Sequence, residues 1–551
     1  MRTSRVRFHP AVALYLACLA ALAAVALPAA AQTPTLLWQF QANGNMQAIA
    51  AAPDLDGDGL DDVVFEGYEN GPSGADHVFA IHGASSGTGS VIWSARPIGG
   101  VSSGGGWGDN CLRLGPDMNR DGLADLLLGT AWGGRTAYGL NGASGTTLWS
   151  FDTYVESPPS PPEGGWVYAI DALGSDLGGD GVSEIVFCCG SYNDYLYCVN
   201  GVTGDYVWGY DGTDAFFDVR SCQDVNADGI RDVIAFLGDG SPITPRLVAL
   251  SGATGALLWT RPLANTAWNF AFIGDVSGDG IAEIVTAQLG SNLYCVNGAT
   301  GAIFWQVAAG SSQRVVALDD VNADGFQDVA VGSYQASNAR AYSGRDGALL
   351  WTALTSDWTW AIDRIGDCTG DGVNDVVAGD FDGIVHLIDG VSGAVQWSWT
   401  NPTGDKIKTI RGVGDLNGNG APDVVAGTQL LYGGTGGDVY ALEGNEHPGA
   451  IADGEPLDGS FLLSEGYPNP ARGAVSWILT TPGAEAARLL VVGPDGRTVR
   501  DLGQIRTNGA ELALRWDGRD ALGRLVPAGV YYARLWNGGR SRADRSIVVI
   551  R

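Results

Sequence analysis

Acidic side chains recur in this 551-residue chain at a spacing suited to holding a hard cation. The first run reads Asp54-Leu55-Asp56-Gly57-Asp58-Gly59-Leu60-Asp61-Asp62, and seven more begin at Asp117, Asp176, Asp224, Asp275, Asp320, Asp367 and Asp415. Oxygen-bearing side chains fall at loop positions 1, 3, 5 and 9, with Gly at position 6. The alternation points successive carboxylates at one centre, and the Gly allows the turn that closes the loop. Oxygen ligands in a flexible loop suit Ca2+, which is the expected cofactor.

The expected ligands differ from loop to loop. Loop 1 offers Asp54, Asp56, Asp58 and Asp62, with the Leu60 carbonyl; loop 2 offers Asp117, Asn119, Asp121 and Asp125, with the Leu123 carbonyl. In loop 3, Gly178 replaces a ligand and leaves Asp176, Asp180 and Glu184. Loop 4 has Asp224, Asn226, Asp228 and Asp232 with the Ile230 carbonyl, and loop 5 has Asp275, Ser277, Asp279 and Glu283. Loop 6 has Asp320, Asn322, Asp324 and Asp328 with the Phe326 carbonyl; loop 7 has Asp367, Thr369, Asp371 and Asp375 with the Val373 carbonyl. Loop 8, with Asp415, Asn417, Asn419 and Asp423, keeps only two carboxylates. Metal is therefore expected first at loops 1, 2, 4, 6 and 7, then at 5, and last at 3 and 8.

These positions hold 24 of the 61 Asp and Glu and explain much of the formal net charge of −30. Filled sites would neutralise that charge and empty ones would repel one another, so folding is expected to depend on calcium at affinities of about 10⁻⁴–10⁻³ M. Such a surface argues against nucleic acid as a partner.

The loops join strands, not the helices of an EF-hand, and lack its Glu at position 12. A β-branched run follows each position-9 acid, as in Val63-Val64-Phe65 and Val376-Val377-Ala378. Loop starts are 45–63 residues apart, which suits four short strands per repeat and a propeller. Each repeat carries a second motif, as in Asn141-Gly142-Ala143-Ser144-Gly145-Thr146-Thr147-Leu148-Trp149. Its Gly pair makes a tight turn, and its Trp is expected to pack between blades. Trp38, Trp93, Trp149, Trp208, Trp259, Trp305, Trp351 and Trp397 supply one ring per repeat. The eighth repeat lacks a Trp after Gly444, whereas Trp38 stands spare at the start. An all-β, eight-bladed propeller closed by an N-terminal strand is expected over residues 32–445.

Over about residues 36–445 the acidic loop followed by a strand resembles the FG-GAP repeats of integrin-α-type propellers. The Gly-x-[ST]-Gly-x-x-x-Trp half resembles quinoprotein repeats. Integrin-type propellers usually have seven blades; the count here is eight. The adjacent Cys188-Cys189 pair invites comparison with quinoprotein alcohol dehydrogenases, which carry neighbouring cysteines beside the cofactor.

Arg2, Arg5 and Arg7, an apolar stretch from Ala11 to Leu27, and Ala29-Ala30-Ala31 read as a signal peptide over 1–31, cleaved after Ala31. The alternative is a lipoprotein anchored at Cys18. No later run is long and apolar enough to span a bilayer, so the mature chain is expected to be secreted or held at the cell surface. Seven cysteines then remain: Cys111, Cys188, Cys189, Cys198, Cys222, Cys295 and Cys368. Cys198 and Cys295 read as core filler, and Cys188 or Cys189 could bridge to Cys198 across a hairpin.

Residues 446–466 read as a linker. From 467 to 551, alternating strands separated by Asp-Gly turns suggest an Ig-like β-sandwich. Pro468-Asn469-Pro470, Asp495-Gly496-Arg497, Trp516-Asp517-Gly518-Arg519-Asp520 and Gly529-Val530-Tyr531-Tyr532 resemble the FlgD-like Ig domain found at C-termini sorted by type IX secretion. That resemblance implies contact with outer-membrane secretion machinery.

The face opposite the acidic loops carries the long insertions Gly99–Asn110 and Tyr154–Gly165, and recurring aromatics: Trp166, Phe217, Trp268 and Trp360, with Trp107 and Trp358 nearby. Beside Asp109, Asp214 and Asp357, these would stack on a sugar or peptide at the channel mouth. A binding or adhesion module for an extracellular carbohydrate or protein is the leading expectation. The alternatives are a calcium-dependent polysaccharide lyase, for which His77, His82, His386, His447, Lys406 and Lys408 are the scarce candidate bases, and a PQQ-dependent dehydrogenase.

Overall fold

The computed structural model describes residues 33–42, 44–69, 75–97, 109–131, 134–154, 164–191, 193–239, 244–290, 292–429, 437–444, 462–463, 474–480, 487–492, 498–505, 512–520, 524–537 and 540–549. The signal-peptide segment, Trp107 and nearly all of 446–466 lie outside them. The chain divides into two units, Met1–His447 and Pro448–Arg551. The described residues contain strands and one 3₁₀ turn, Asp109–Cys111, but no α-helix.

The first unit is a β-propeller of four-stranded antiparallel meanders. Sheet one runs Asn45–Ala52, Asp62–Glu69, Val78–Ile81 and Val91–Ala95. Sheets two to seven repeat the order from first strands Leu112–Leu114, Trp166–Ala172, Phe216–Ser221, Ala267–Phe272, Ser312–Ala317 and Thr359–Ile365. Sheet eight runs Lys406–Val413, Asp423–Gln429 and Asp438–Glu443, then takes Leu36–Gln41 from the other end of the unit as its fourth strand. First strands pack on the first strands of neighbouring sheets, including sheet eight on sheet one, and so form the innermost layer.

The middle two strands of each sheet are almost wholly buried, as in Ile185–Gly190 and Tyr195–Val199, because both faces meet neighbouring sheets. Outer strands alternate, as in Leu349–Leu354. Cores therefore form between sheets; Trp149 of sheet two, for example, packs with Val167, Ile170 and Phe187 of sheet three.

One repeated contact explains why the two sequence motifs travel together. The position-9 carboxylate accepts an N–H from its own loop and another from the first Gly of the turn between strands three and four. Asp125 does so from Met118 at 2.7 Å and Gly142 at 2.9 Å. The Gly142 carbonyl in turn accepts the indole N–H of Trp93, one sheet earlier, at 2.8 Å. The acid–Gly bond recurs at Asp62–Gly83, Asp232–Gly252, Asp328–Gly344, Asp375–Gly390 and Asp423–Gly444. The indole–Gly bond recurs in every sheet, from Trp38–Gly83 at 3.1 Å to Trp397–Gly444. A Cβ on Gly142 would stand 2.0 Å from the Ala124 carbonyl oxygen, and one on Gly145 (φ +67°) would stand 2.4 Å from the Trp93 ring. Only glycine allows that approach at either place.

In the second unit, a three-stranded sheet (Leu462–Leu463, Val475–Thr480, Leu512–Trp516) and a four-stranded sheet (Ala487–Val492, Thr498–Ile505, Gly529–Asn537, Arg540–Val549) share one core. Trp477, Trp516, Val491, Tyr531 and Ile547 lie in it. The Trp516 indole N–H donates to the Arg519 carbonyl at 2.8 Å, which gives the Trp-Asp-Gly-Arg-Asp run a local turn.

Candidate functional site: acidic turns and channel mouth

The acidic turns shape their carboxylates by backbone bonds. In loop 1 the Asp54 carboxylate accepts N–H bonds from Gly57, Asp58 and Gly59 at 2.5–3.0 Å. Asp56 accepts from Asp58 at 3.0 Å, and Asp58 from Leu60 at 2.8 Å. Asp54, Asp56 and Asp62 thereby bring one oxygen each within 4.8 Å of one another. Asp56 and Asp58 make a second such group with His82, and the His82 imidazole pairs directly with Asp56. The oxygen trio fits a hard cation and makes loop 1 the best-formed of the eight. Loops 2, 4, 6 and 7 keep the backbone geometry with Asn or Thr at position 3, so their oxygen sets are less charged.

His82 stands where other repeats place Asn141, Asn200 and Asn297, just before the turn Gly. Those side chains donate to the position-5 carboxylates: Asn141 to Asp121 at 2.8 Å, Asn200 to Asp180 at 2.7 Å and Asn297 to Asp279 at 2.6 Å. This partner of position 5 carries a sequence signal of its own, the alignment of Ile81-His82-Gly83 with Leu140-Asn141-Gly142. The donated bonds have an electrostatic consequence. Asp121, held by the Leu123 N–H and by Asn119 and Asn141, lies below the ordinary carboxylate range. Burial pushes the position-9 aspartates the other way: Asp328 and Asp375 rise to about 6 and Asp423 to about 7.

Position 4 was also unforeseen. All eight loops hold it at positive φ, filled by glycine in five and by Arg120, Ala227 and Ala323 in three. Side chains there cost roughly 1–2 kcal/mol of strain.

At the other end of the first strands, a β-bulge recurs. Register slips by one between residues 46 and 48, 167 and 169, 216 and 218, 267 and 269, 312 and 314, 359 and 361, and 407 and 409. The extra residues are Gln47, Tyr168, Phe217, Trp268, Gln313, Trp360 and Lys408. A bulge re-aims the side chain it carries. Phe217, Trp268 and Trp360 were expected as equivalents and are; the fourth member, in sheet three, is Tyr168 and not the expected Trp166, which stands two residues earlier, in register with Trp358.

Two groups of bulge residues touch: Tyr168 with Phe217 and Phe217 with Trp268, and Trp360 with Lys408. Tyr168 and Phe217 have ring centroids 5.6 Å apart, and Phe217 and Trp268 5.0 Å. On the far side, Trp360 stacks on Phe381 at 5.5 Å, and Lys408 Nζ sits 3.6 Å over the Trp360 ring. Tyr334 and Trp358 complete that cluster at 5.1 Å, and Lys406 covers Phe381 at 3.9 Å. Phe217 is buried between its neighbours, while Trp358 is exposed. Of the five expected aromatics among the described residues, Trp358 is exposed, Trp166, Trp268 and Trp360 are half-buried and Phe217 is buried.

Two other constellations lie elsewhere. Ser398 Oγ meets His386 Nδ1 at 2.8 Å, and His386 Nε2 meets Asp380 at 3.1 Å. His386 and Ser398 are direct cross-strand partners, and Asp380 also accepts the Ile384 and Ser356 N–H groups, so the relay ties strands together. Cys188 and Cys189 point into cores on opposite faces of their sheet. All seven described cysteines are buried, and burial pushes the Cys188 and Cys189 thiols well up. The hairpin bridge is not formed because Cys198 pairs with Val186, two residues from Cys188. Cys198 and Cys295 are core residues, as expected.

No helix among the described residues is long and apolar enough to cross a membrane. Residues 241–349 match the family model described as the FAM234A/B beta-propeller. Protein FAM234B of Mus musculus is 30% identical over 125 residues, which span 20% of this chain and 20% of that protein. Solved structures with similar folds include Sqt1 of Saccharomyces cerevisiae (11% identity, TM-score 0.54, 75% of this chain and 99% of that one). The C-terminal WD40 domain of Sif2 (12%, 0.51, 76% and 100%) and the quinohemoprotein alcohol dehydrogenase of Comamonas testosteroni (12%, 0.50, 77% and 78%) are others. At these identities the likeness reports the fold: the first unit is a β-propeller, similar over one stretch to the FAM234 type.

Proposed function

We propose that this chain is an exported, calcium-clamped propeller of eight blades in one closed ring that binds an extracellular carbohydrate or protein at its channel mouth. The observation that carries the reading is the ring of inner-strand bulges, which gathers aromatic, amide and Lys side chains at one end of a rigid scaffold. Ring closure is supported by the Leu36–Gln41 strand in sheet eight and by the Trp38–Gly83 bond between sheets eight and one. The FG-GAP reading is supported by the shared geometry of the acidic turns. Asp54, Asp56 and Asp62 would hold calcium in loop 1, and its role there is structural: it would screen carboxylates that otherwise repel. The two-sheet core of the second unit supports an Ig-like, FlgD-type sorting domain, with secretion machinery as its partner.

A glycan and protein array probed with the full mature chain, in calcium and in EDTA, tests the reading. Calcium-dependent capture by one ligand class, without unsaturated sugar products, supports it. Absence of capture under both conditions counts against a recognition role, and unsaturated products would make the protein a lyase.

A further inference from the structure

Loop 1 differs from the other seven acidic turns at the residue before the turn Gly. That residue is Asn, Ser, Asp or Glu in the others, from Asn141 to Glu443, and His only at His82. The imidazole brings a nitrogen lone pair that none of those side chains has. Ligand type decides the ion: carboxylate and carbonyl oxygens suit Ca2+, whereas imidazole suits Zn2+ and its transition-metal neighbours.

The fold holds His82 beside the turn. Its N–H donates to the Ser90 carbonyl at 3.0 Å, and its own carbonyl accepts from the Ser85 hydroxyl at 2.7 Å, so its backbone is pinned on both sides. The same place in other repeats sends Asn141, Asn200 and Asn297 to the position-5 carboxylate. The aim of the side chain is therefore set by the meander. In sheet one it brings an imidazole nitrogen and one oxygen each of Asp56 and Asp58 within 4.8 Å of one another. The Asp58 and Leu60 N–H groups fix those two carboxylates at 3.0 and 2.8 Å. Asp56 and Asp58 are exposed and His82 is half-buried, so an ion reaches all three from solvent. Ligands around a tetrahedral zinc at about 2.0–2.2 Å stand about 3.4 Å apart, a closure that small rotations of solvent-facing side chains supply.

We propose that Asp56, Asp58 and His82 form a Zn2+ site on the first turn, different in ion from the oxygen trio Asp54, Asp56 and Asp62, with which it shares Asp56. Two carboxylate oxygens and one imidazole nitrogen bind the ion, and water takes the position left open toward solvent. The site goes beyond the calcium reading and does not rest on it, since His82 and Asp58 lie outside that trio.

Calorimetric titration of the full mature chain with zinc sulfate tests it, in buffer holding calcium at about 1 mM, a level suited to extracellular calcium modules. Zinc should bind at one equivalent per chain. His82→Asn, which copies Asn141, should weaken that binding about tenfold or more and leave the thermal midpoint in calcium unchanged. Asp58→Asn, which copies Asn419 of loop 8, is the second variant if His82→Asn does not fold, and should weaken zinc likewise. Absence of zinc uptake in the parent chain, or uptake that neither variant weakens, overturns the site. The calcium reading fails separately, through a midpoint that EDTA leaves unchanged in protein given no zinc.

Discussion

The rim and the channel of the propeller unit are built from the same sheets, but only the rim repeats its chemistry. At the rim, acid, Gly and Trp recur in nearly identical bonds, from Trp93–Gly142–Asp125 to Trp351–Gly390–Asp375. At the bulges the backbone recurs and the side chains do not: Gln47, Tyr168, Phe217, Trp268, Gln313, Trp360 and Lys408 occupy one structural position. Repetition marks a contact that every pair of neighbouring sheets needs. Variation at a fixed backbone position shows that the scaffold does not dictate the side chain there, a freedom the proposed recognition surface would use.

The sharpest way to break this contrast is to remove one rim lock. Trp149→Ala should cost about 3–5 kcal/mol in urea unfolding, through lost packing and an orphaned Gly201 carbonyl. Gly142→Ala, which drives a Cβ into the Ala124 carbonyl, should be comparably severe. If both cost under about 1 kcal/mol, the lock is not what joins the sheets.

Calcium should have the next largest effect. At concentrations ten to a hundred times Kd, each filled site adds about 1.4–2.7 kcal/mol, so EDTA should lower the calorimetric midpoint. Asp56→Ala should lose stability in calcium but change little in EDTA. An equal loss under both conditions would assign Asp56 to its His82 contact instead.

The pH response in EDTA follows from the buried acids. Asp328, Asp375 and Asp423 titrate near 6, 6 and 7 when folded, above the ordinary unfolded value near 4. Folded protein then binds more protons than unfolded chain between those values. Their contribution is full below about pH 4 and is lost as pH rises through about 6–7. Urea midpoints from pH 4 to 8 should therefore fall in EDTA and fall less in calcium, which competes for the same carboxylates. A midpoint that rises with pH in EDTA would contradict this account.

Smaller effects sharpen the comparison. Ala227→Gly and Ala323→Gly, at φ 61° and 59°, should each stabilise by up to about 1 kcal/mol by relieving strain, less the entropy of added glycine. Trp358→Ala, at the exposed mouth, should shift stability by no more than about 0.5 kcal/mol while weakening ligand capture in the array. Unchanged capture would move recognition away from the mouth.

The acidic turns, the paired glycines and the tryptophans were legible because each is a local pattern of residues at short, fixed spacing. Loop 1 was likewise recognisable as the most acidic of the eight from its four carboxylates. The left-handed position 4 was not: Arg120, Ala227 and Ala323 carry no glycine signal, and only the closing of the turn imposes that φ.

The sequence by itself determined the strand meanders and the chemistry of each rim turn, because alternation, Gly and Asx turns act within a few residues. Tertiary structure alone decided which residues line the channel. Bulge register depends on pairing between strands, so Tyr168 rather than Trp166 joined Phe217 and Trp268. It likewise placed Arg113, Arg220 and Arg314, each about a hundred residues from the next, on first strands of one innermost layer. No local spacing announces such a meeting, since it exists only when distant first strands share one innermost layer.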